Sequence, residues 1–273
     1  MRKYILALLL VPTLAGAFQT EITGSFSRAD YENDDEYTSV VLEVEYFFKP
    51  VEVNGHPYVE AAFLERSSSI VAALGSSKFE FASGISMDGP LYGAEVTLMN
   101  KESPFYVSAY FMFVENEINV SPTIEMEIES YSINPGFFIN DTSLIIIHFE
   151  NSETELLGVT RDGAEVGIEF KSVINNINLE GSIEQSSYDD STIEEDNTEI
   201  SLNVDYYLSQ KASIGAGIST NSGDDSDDEG NTFTLRSIIY SNENIGFGLE
   251  YEKFSADNGA DENSITVQAG VRF

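Results

Sequence analysis

The chain has 273 residues, a formal charge of −34 and no cysteine. Acid in that excess repels nucleic acid, whose recognition rests on Lys and Arg neutralising phosphates, and the lack of thiols removes disulfide frameworks, redox pairs and thiolate metal sites. Hydrophobic residues make up 42% and aromatics 12%, more apolar surface than a disordered acidic chain carries, so the acid and the grease must be segregated along the sequence.

Arg2 and Lys3 precede an apolar run from Tyr4 to Leu14, and Ala15-Gly16-Ala17 supplies an A-x-A cleavage site. This is the pattern of a secretory signal peptide at residues 1–17, which leaves 18–273 as the folded unit; the alternative is a buried N-terminal helix. No later segment offers the roughly 18 uninterrupted apolar residues of a membrane helix.

From there the chain alternates. Ile22, Gly24 and Phe26 share one face of a strand from Thr20 to Ser27, and an acidic loop runs from Arg28 to Tyr37. Val40, Leu42, Val44, Tyr46 and Phe48 then face one way with Glu43 and Glu45 opposite, until Pro50 stops the strand. The stretch 49–68 breaks the alternation: Pro50, Asn54-Gly55 and Pro57 are turn signals, and Ala61-Ala62-Phe63-Leu64 is ambiguous. It reads as a connector packed against one end of the fold, and its place relative to any interior stays open.

A strand spans Ser69 to Ala82, and Leu91 to Met99 and Phe105 to Phe113 form a pair around a tight turn at Asn100 to Pro104. Ile124 to Ile139 follows, with Pro135-Gly136 suggesting a bulge, and then Leu144 to Glu150. Asn151 to Gly163 reads as a long loop. The later strands are Ala164 to Lys171, Ile177 to Glu184, Ile200 to Leu208, Ala212 to Thr220, Thr232 to Tyr240, Ile245 to Phe254 and Asn263 to Phe273. In the last of these Ile265, Val267, Ala269, Val271 and Phe273 oppose Ser264, Thr266, Gln268, Gly270 and Arg272.

Short Asn- and Ser-rich connections alternate with longer acidic ones. That rhythm predicts an all-β fold, an antiparallel transmembrane β-barrel of about fourteen strands, with twelve or sixteen also compatible, short turns on the periplasmic side and longer acidic loops outside. A soluble β-sandwich also alternates apolar and polar; the predicted leader, the loop rhythm and the terminal aromatic favour the barrel.

These features resemble a bacterial outer-membrane porin of Gram-negative bacteria, in particular the general bacterial porin family. The segments that carry the resemblance are Tyr46-Phe47-Phe48-Lys49-Pro50 and Ala61-Ala62-Phe63-Leu64-Glu65-Arg66-Ser67-Ser68-Ser69. The carboxyl end from Val267, through Ala269 and Val271, to Phe273 resembles the signal read by the outer-membrane barrel assembly machinery. The resemblance implies a channel with no catalytic set, cofactor or metal, partnered by outer-membrane lipid and lipopolysaccharide, by the assembly machinery and by small hydrophilic solutes. It leaves a homo-oligomer such as a trimer open.

On such a barrel the polar strand faces line the lumen. That face collects Glu43, Glu45, Glu95, Glu165, Glu169, Glu180, Glu184, Glu199, Asp205, Glu250 and Glu252 against only Lys171, Arg236 and Arg272. Rings of carboxylates favour cations, so the expectation is a passive, cation-preferring aqueous pore. The alternatives are a plugged barrel, a transporter of an apolar ligand, or a structural or adhesive surface protein. Tyr46, Phe48, Tyr206, Tyr207, Tyr240, Tyr251 and Phe254 lie near strand ends, where an interfacial girdle belongs. Gly215, Gly217, Gly246 and Gly248 face inward and either bend the wall or make room for water. Gly223 to Gly230 carries acids at positions one, three and five of a calcium loop, but Arg236 stands where the bidentate Glu belongs, so it reads as a solvated loop with at most weak divalent binding. His56 and His148 lack any nucleophile motif, which argues against an enzyme.

Overall fold

The structure, a computed structural model, describes residues 17–53, 55–120, 123–189, 194–223, 229–257 and 261–273. Residues 1–16 of the expected signal peptide and Asp224–Asp228 of the calcium-like run lie outside these.

Among the described residues there are fourteen strands: β1 (Ala17–Tyr31), β2 (Glu36–Glu52), β3 (Ser69–Glu80), β4 (Ser86–Asn100), β5 (Ser103–Ile118), β6 (Ile124–Asn140), β7 (Ser143–Leu156), β8 (Val159–Ile174), β9 (Ile177–Asp189), β10 (Glu194–Ser209), β11 (Ala212–Gly223), β12 (Gly230–Asn242), β13 (Ile245–Ala256) and β14 (Glu262–Arg272). Each pairs antiparallel with its chain neighbours, and β1 pairs with β14, so one sheet closes on itself. Closure runs from Glu21↔Arg272 to Tyr31↔Glu262. It continues through Phe273, whose N–H donates to Thr20 O at 2.8 Å and whose carbonyl accepts from Gln19 N at 2.6 Å. A closed sheet leaves no unpaired edge, the condition for placing strands in hydrocarbon.

The outer face is apolar. Leu74, Ile133, Ile168 and Ile218 are each 57–60% exposed, and no second sheet covers them. This rules out the sandwich, which would bury those rows between sheets. The small buried clusters lie within the rim that carries the short turns. Phe18, Phe47, Val51, Val53, Tyr58, Ala61 and Tyr240 form one. Phe138, Leu144 and Ile146, with Phe63 against them, form another.

Three local expectations are corrected. The acidic connections are mostly strand: Asn151 to Gly163 is a hairpin whose turn is only Leu157-Gly158, both at positive φ (57° and 75°), with Glu153↔Asp162 and Glu155↔Thr160 paired across it. Strands here run 11 to 17 residues, beyond the about 9–11 that cross a bilayer. Above the lipid both faces of a hairpin meet water, so its polar residues mimic a loop in sequence. At Pro135-Gly136 there is no bulge: pairing to β7 pauses between Ser132 and Gly136 and resumes in the same register. A proline without an N–H interrupts the ladder without adding a residue. Tyr207, Tyr240 and Phe254 belong to no girdle; the first two are buried inside the barrel (3% and 8% exposed) and Phe254 lines an inner cavity with Glu250 and Glu252, while Tyr46 and Tyr206 face outward.

Candidate functional site: the inner wall and its brace

Strand alternation turns one side chain in two toward the interior. Glu43, Glu45 and Glu95, with Arg272, line a cavity of about 440 Å³ that also takes in Glu21 and Thr23. Glu184, Glu199, Glu250 and Glu252 line another of about 540 Å³, with Arg236 in its wall. Lys171, Glu180 and Asp205 surround a third of about 270 Å³, and Glu169 borders a fourth with Lys171. Glu165 lies 3.4 Å from His148, whose ring also approaches Glu150 at 3.6 Å. His148 on β7 is therefore an inner-face residue, opposite in facing to Ile147 and Phe149.

The inner charges are unevenly matched. Lys171 pairs with Glu180 at 2.8 Å and Glu60 at 3.1 Å. Arg236 pairs with Asp205 at 2.6 Å and Glu180 at 3.1 Å. Arg272 pairs with Glu21 at 2.8 Å. All three cations are thus engaged in ion pairs. Among the described residues, Glu43, Glu45, Glu95, Glu184, Glu199, Glu250 and Glu252 have no Lys or Arg within ion-pair distance. Not tied up in ion pairs, they give the wall a net negative potential.

The glycines have a third role that neither sequence reading named. A Cβ at Gly215 would lie 2.0 Å from Asp205 Oδ1 and 3.0 Å from Arg236 Cγ. The missing side chain is the space that the Asp205–Arg236 pair occupies.

The β2–β3 connector is the main element that periodicity could not place. After Pro57 (φ −56°) it makes a 3₁₀ turn over Tyr58–Glu60 and one helical turn, α1 (Ala61–Leu64). Arg66 then reverses the chain at φ 48°. A non-glycine residue in that region costs about 1–3 kcal/mol unless its surroundings hold it there. Here the guanidinium donates to Asn140 O (3.0 Å) and Ser103 O (3.2 Å) and lies 3.9 Å over the Phe138 ring.

The rest of the connector crosses the rim and is tied on several sides. Tyr58 N–H donates to Gln210 O at 2.8 Å, in the turn between β10 and β11. Arg272 donates to Tyr58 O at 2.8 Å. Glu60, 5% exposed, accepts from Tyr207 Oη at 2.7 Å and from Lys171. Tyr58 packs edge-on against Tyr240, and Phe63 lies over Phe138 with Lys171 Nζ 5.1 Å above its ring. Outside the strands, Glu65 is partly buried, which works against its charge, but Lys101 at 2.5 Å and His56 at 3.1 Å outweigh this and hold its carboxyl below the usual range. Sequence reasoning missed Glu21 and Glu150, although both have inward parity, and Glu60, which no period marks.

A closed antiparallel barrel with an apolar outer belt and a charged inner wall is the architecture of an outer-membrane β-barrel. The sequence profile of the family described as "Putative general bacterial porin" matches residues 5–161, more than half of the chain, and the chain belongs to that family. It is an outer-membrane protein of the Gram-negative envelope. Among solved structures it is similar to the Acinetobacter baumannii outer membrane protein Omp33 (17% identity, 95% of this chain and 100% of that one, TM-score 0.56). It is also similar to a deltaS2S3 mutant of the monoaromatic hydrocarbon channel TodX (9% identity, 96% and 91%, TM-score 0.59) and to the monoaromatic hydrocarbon channel CymD (7% identity, 94% and 89%, TM-score 0.60). At these identities the likeness is one of fold. No curated protein matches the chain in sequence.

Proposed function

We propose that this porin is a passive aqueous channel that prefers cations and passes small hydrophilic solutes, and that it has no catalytic role. One observation carries the reading: Lys171, Arg236 and Arg272 are each spent in ion pairs, while Glu43, Glu45, Glu95, Glu184, Glu199, Glu250 and Glu252 have no Lys or Arg within ion-pair distance among the described residues. Glu43, Glu45, Glu95, Glu165, Glu169, Glu180, Glu184, Glu199, Asp205, Glu250 and Glu252 are the pore-lining acids of this proposal, with Lys171, Arg236 and Arg272 as counter-charges. Uncompensated carboxylates concentrate cations and repel anions along the path. An apolar ligand would find little to bind on such a wall. TodX and CymD are hydrocarbon channels, and their likeness extends to the strands but carries no lining residue.

The outward row Val267, Ala269, Val271 and the terminal Phe273, seated on β1, fit the proposed signal for the barrel assembly machinery. Removal of a leader at residues 1–17, contact of the acidic rim with lipopolysaccharide, and a trimeric assembly belong to the same proposal. Reconstitution in planar bilayers under a KCl gradient tests the channel. The expected result is stepwise conductance with a reversal potential of the cation-selective sign; a silent barrel or an anion-selective one overturns the reading.

A further inference from the structure

We infer that Pro57–Arg66 is the channel's size-selecting element, a brace across the short-turn mouth, and that Glu60 is the residue that latches it. The inference rests on the channel reading above and adds the part of the chain that sets what passes.

The argument starts from where the segment's contacts end. They are not confined to β2 and β3, the strands it joins. They reach Gln210 between β10 and β11, Tyr207 on β10, Lys171 on β8, Phe138 and Asn140 on β6, and Arg272 on β14. Strands so far apart around a fourteen-membered closed sheet can be touched by one short segment only if it runs across the opening. The rim there is consequently a set of gaps between brace and wall. One is lined by Val59, Glu21, Glu43, Glu45, Glu95 and Arg272; another lies beside Ala62, Phe63, Glu169 and Lys171. On the channel reading a solute leaves past the brace, through gaps such as these.

Glu60 is the latch because its carboxylate joins two strands at once. It is buried, it accepts the Tyr207 hydroxyl, and it faces Lys171, whose other partner is Glu180. Loss of the carboxylate leaves Lys171 held by Glu180 alone and Tyr207 Oη without its acceptor. A buried polar contact that keeps one arrangement when complete favours another when a partner goes. The apolar contacts of Tyr58 and Phe63 then hold the brace only by packing.

The test uses the full chain reconstituted in planar bilayers beside two variants, with heat-modifiable gel migration showing that each barrel is folded. In the first, Pro57–Arg66 is exchanged for a short Gly-Ser linker; the second is Glu60→Ala. The expected result is a severalfold larger unit conductance and a larger excluded poly(ethylene glycol) size for the exchange variant. Glu60→Ala should show intermediate or flickering conductance, with the sign of ion selectivity unchanged in both. A silent parent with a conducting exchange variant also supports the brace. A conducting parent matched in conductance and cut-off by both folded variants overturns the brace and leaves the channel reading intact. Silence in all three overturns both.

Discussion

The Tyr207 hydroxyl donates to the Glu60 carboxylate at 2.7 Å, joining a residue of β10 to one 147 positions earlier in the connector. The bond closes over Lys171, 3.1 Å from the other carboxylate oxygen. Hydrogen bonds to a charged acceptor contribute about 1.5–3 kcal/mol, and the figure rises when loss leaves a buried partner bare. Tyr207→Phe keeps the ring and removes only the donor. It should lower barrel stability toward urea by about 1–3 kcal/mol, read from the midpoint at which the heat-modifiable gel form disappears. Glu60→Ala should cost more, since it also takes from Lys171 one of its two carboxylate partners. Equal midpoints for parent and Tyr207→Phe would show that the bond carries no net stability.

Glu65 gives the connector a pH dependence of definite sign. Its carboxyl is held below its ordinary value in the fold, net of the opposing effect of burial, by Lys101 and His56. A group lowered in this way adds stability that is complete above its unfolded value and is lost as pH falls through the folded one. Hydrogen exchange of the Ala61–Arg66 amides, corrected for intrinsic rate, should therefore be slower in the parent than in Glu65→Gln at pH 7. The gap should narrow below about pH 4.3, the ordinary Glu value, and vanish in stronger acid. A gap that widened on acidification would contradict the assignment.

The strands were legible in the sequence because lipid and water impose opposite polarity on successive residues, as in the row Ile200, Leu202, Val204 and Tyr206. The same parity is what set Glu43, Glu184 and Glu250 on the inner wall. It fails where that opposition ends. Above the bilayer Glu153 and Glu155 sit in a hairpin that looks like a loop, because water lies on both sides. Tyr207 and Tyr240 looked like girdle residues because a strand end alone does not say which face an amphipathic ring takes. The segment 49–68 was legible as a connector packed against one end of the fold, but its course was not: its anchors on β6, β8, β10 and β14 are contacts between distant segments, and nothing local in Tyr58-Val59-Glu60 names Lys171 or Tyr207.

The outer belt makes a prediction that separates lipid from water on the two faces of one strand. Ile168 on β8 is 58% exposed and outward, between Gly167 and Glu169 on the inner side. Arginine at the lipid face near the bilayer centre costs about 2–4 kcal/mol, falling to nearly nothing at the interfaces. Ile168→Arg should lose stability on that scale in phospholipid bilayers, measured by urea unfolding. Thr234→Asn, on the inner face where Thr234 Oγ1 donates to Glu252 at 3.2 Å, should be far milder. Equal tolerance at both positions would mean that Ile168 does not face hydrocarbon.

Selectivity should follow the unpaired acids and ignore the paired ones. Glu43 and Glu95 border the same cavity, near Arg272, but that guanidinium is already engaged with Glu21 at 2.8 Å and with Tyr58 O. Their charge is therefore available to passing ions. In Glu43→Gln with Glu95→Gln the reversal potential in a KCl gradient should move toward zero, and conductance should fall more in dilute salt than in concentrated salt. The salt dependence follows from screening: the Debye length shrinks from about 10 Å at 0.1 M to about 3 Å at 1 M, so a wall charge reaches across the lumen only in the first case. Glu102→Gln, at the exposed turn between β4 and β5, removes one charge from outside the lumen and should leave the potential where it was. If the outer substitution shifts selectivity as much as the inner pair, the effect belongs to the net charge of the protein and the inner wall does not choose the ion.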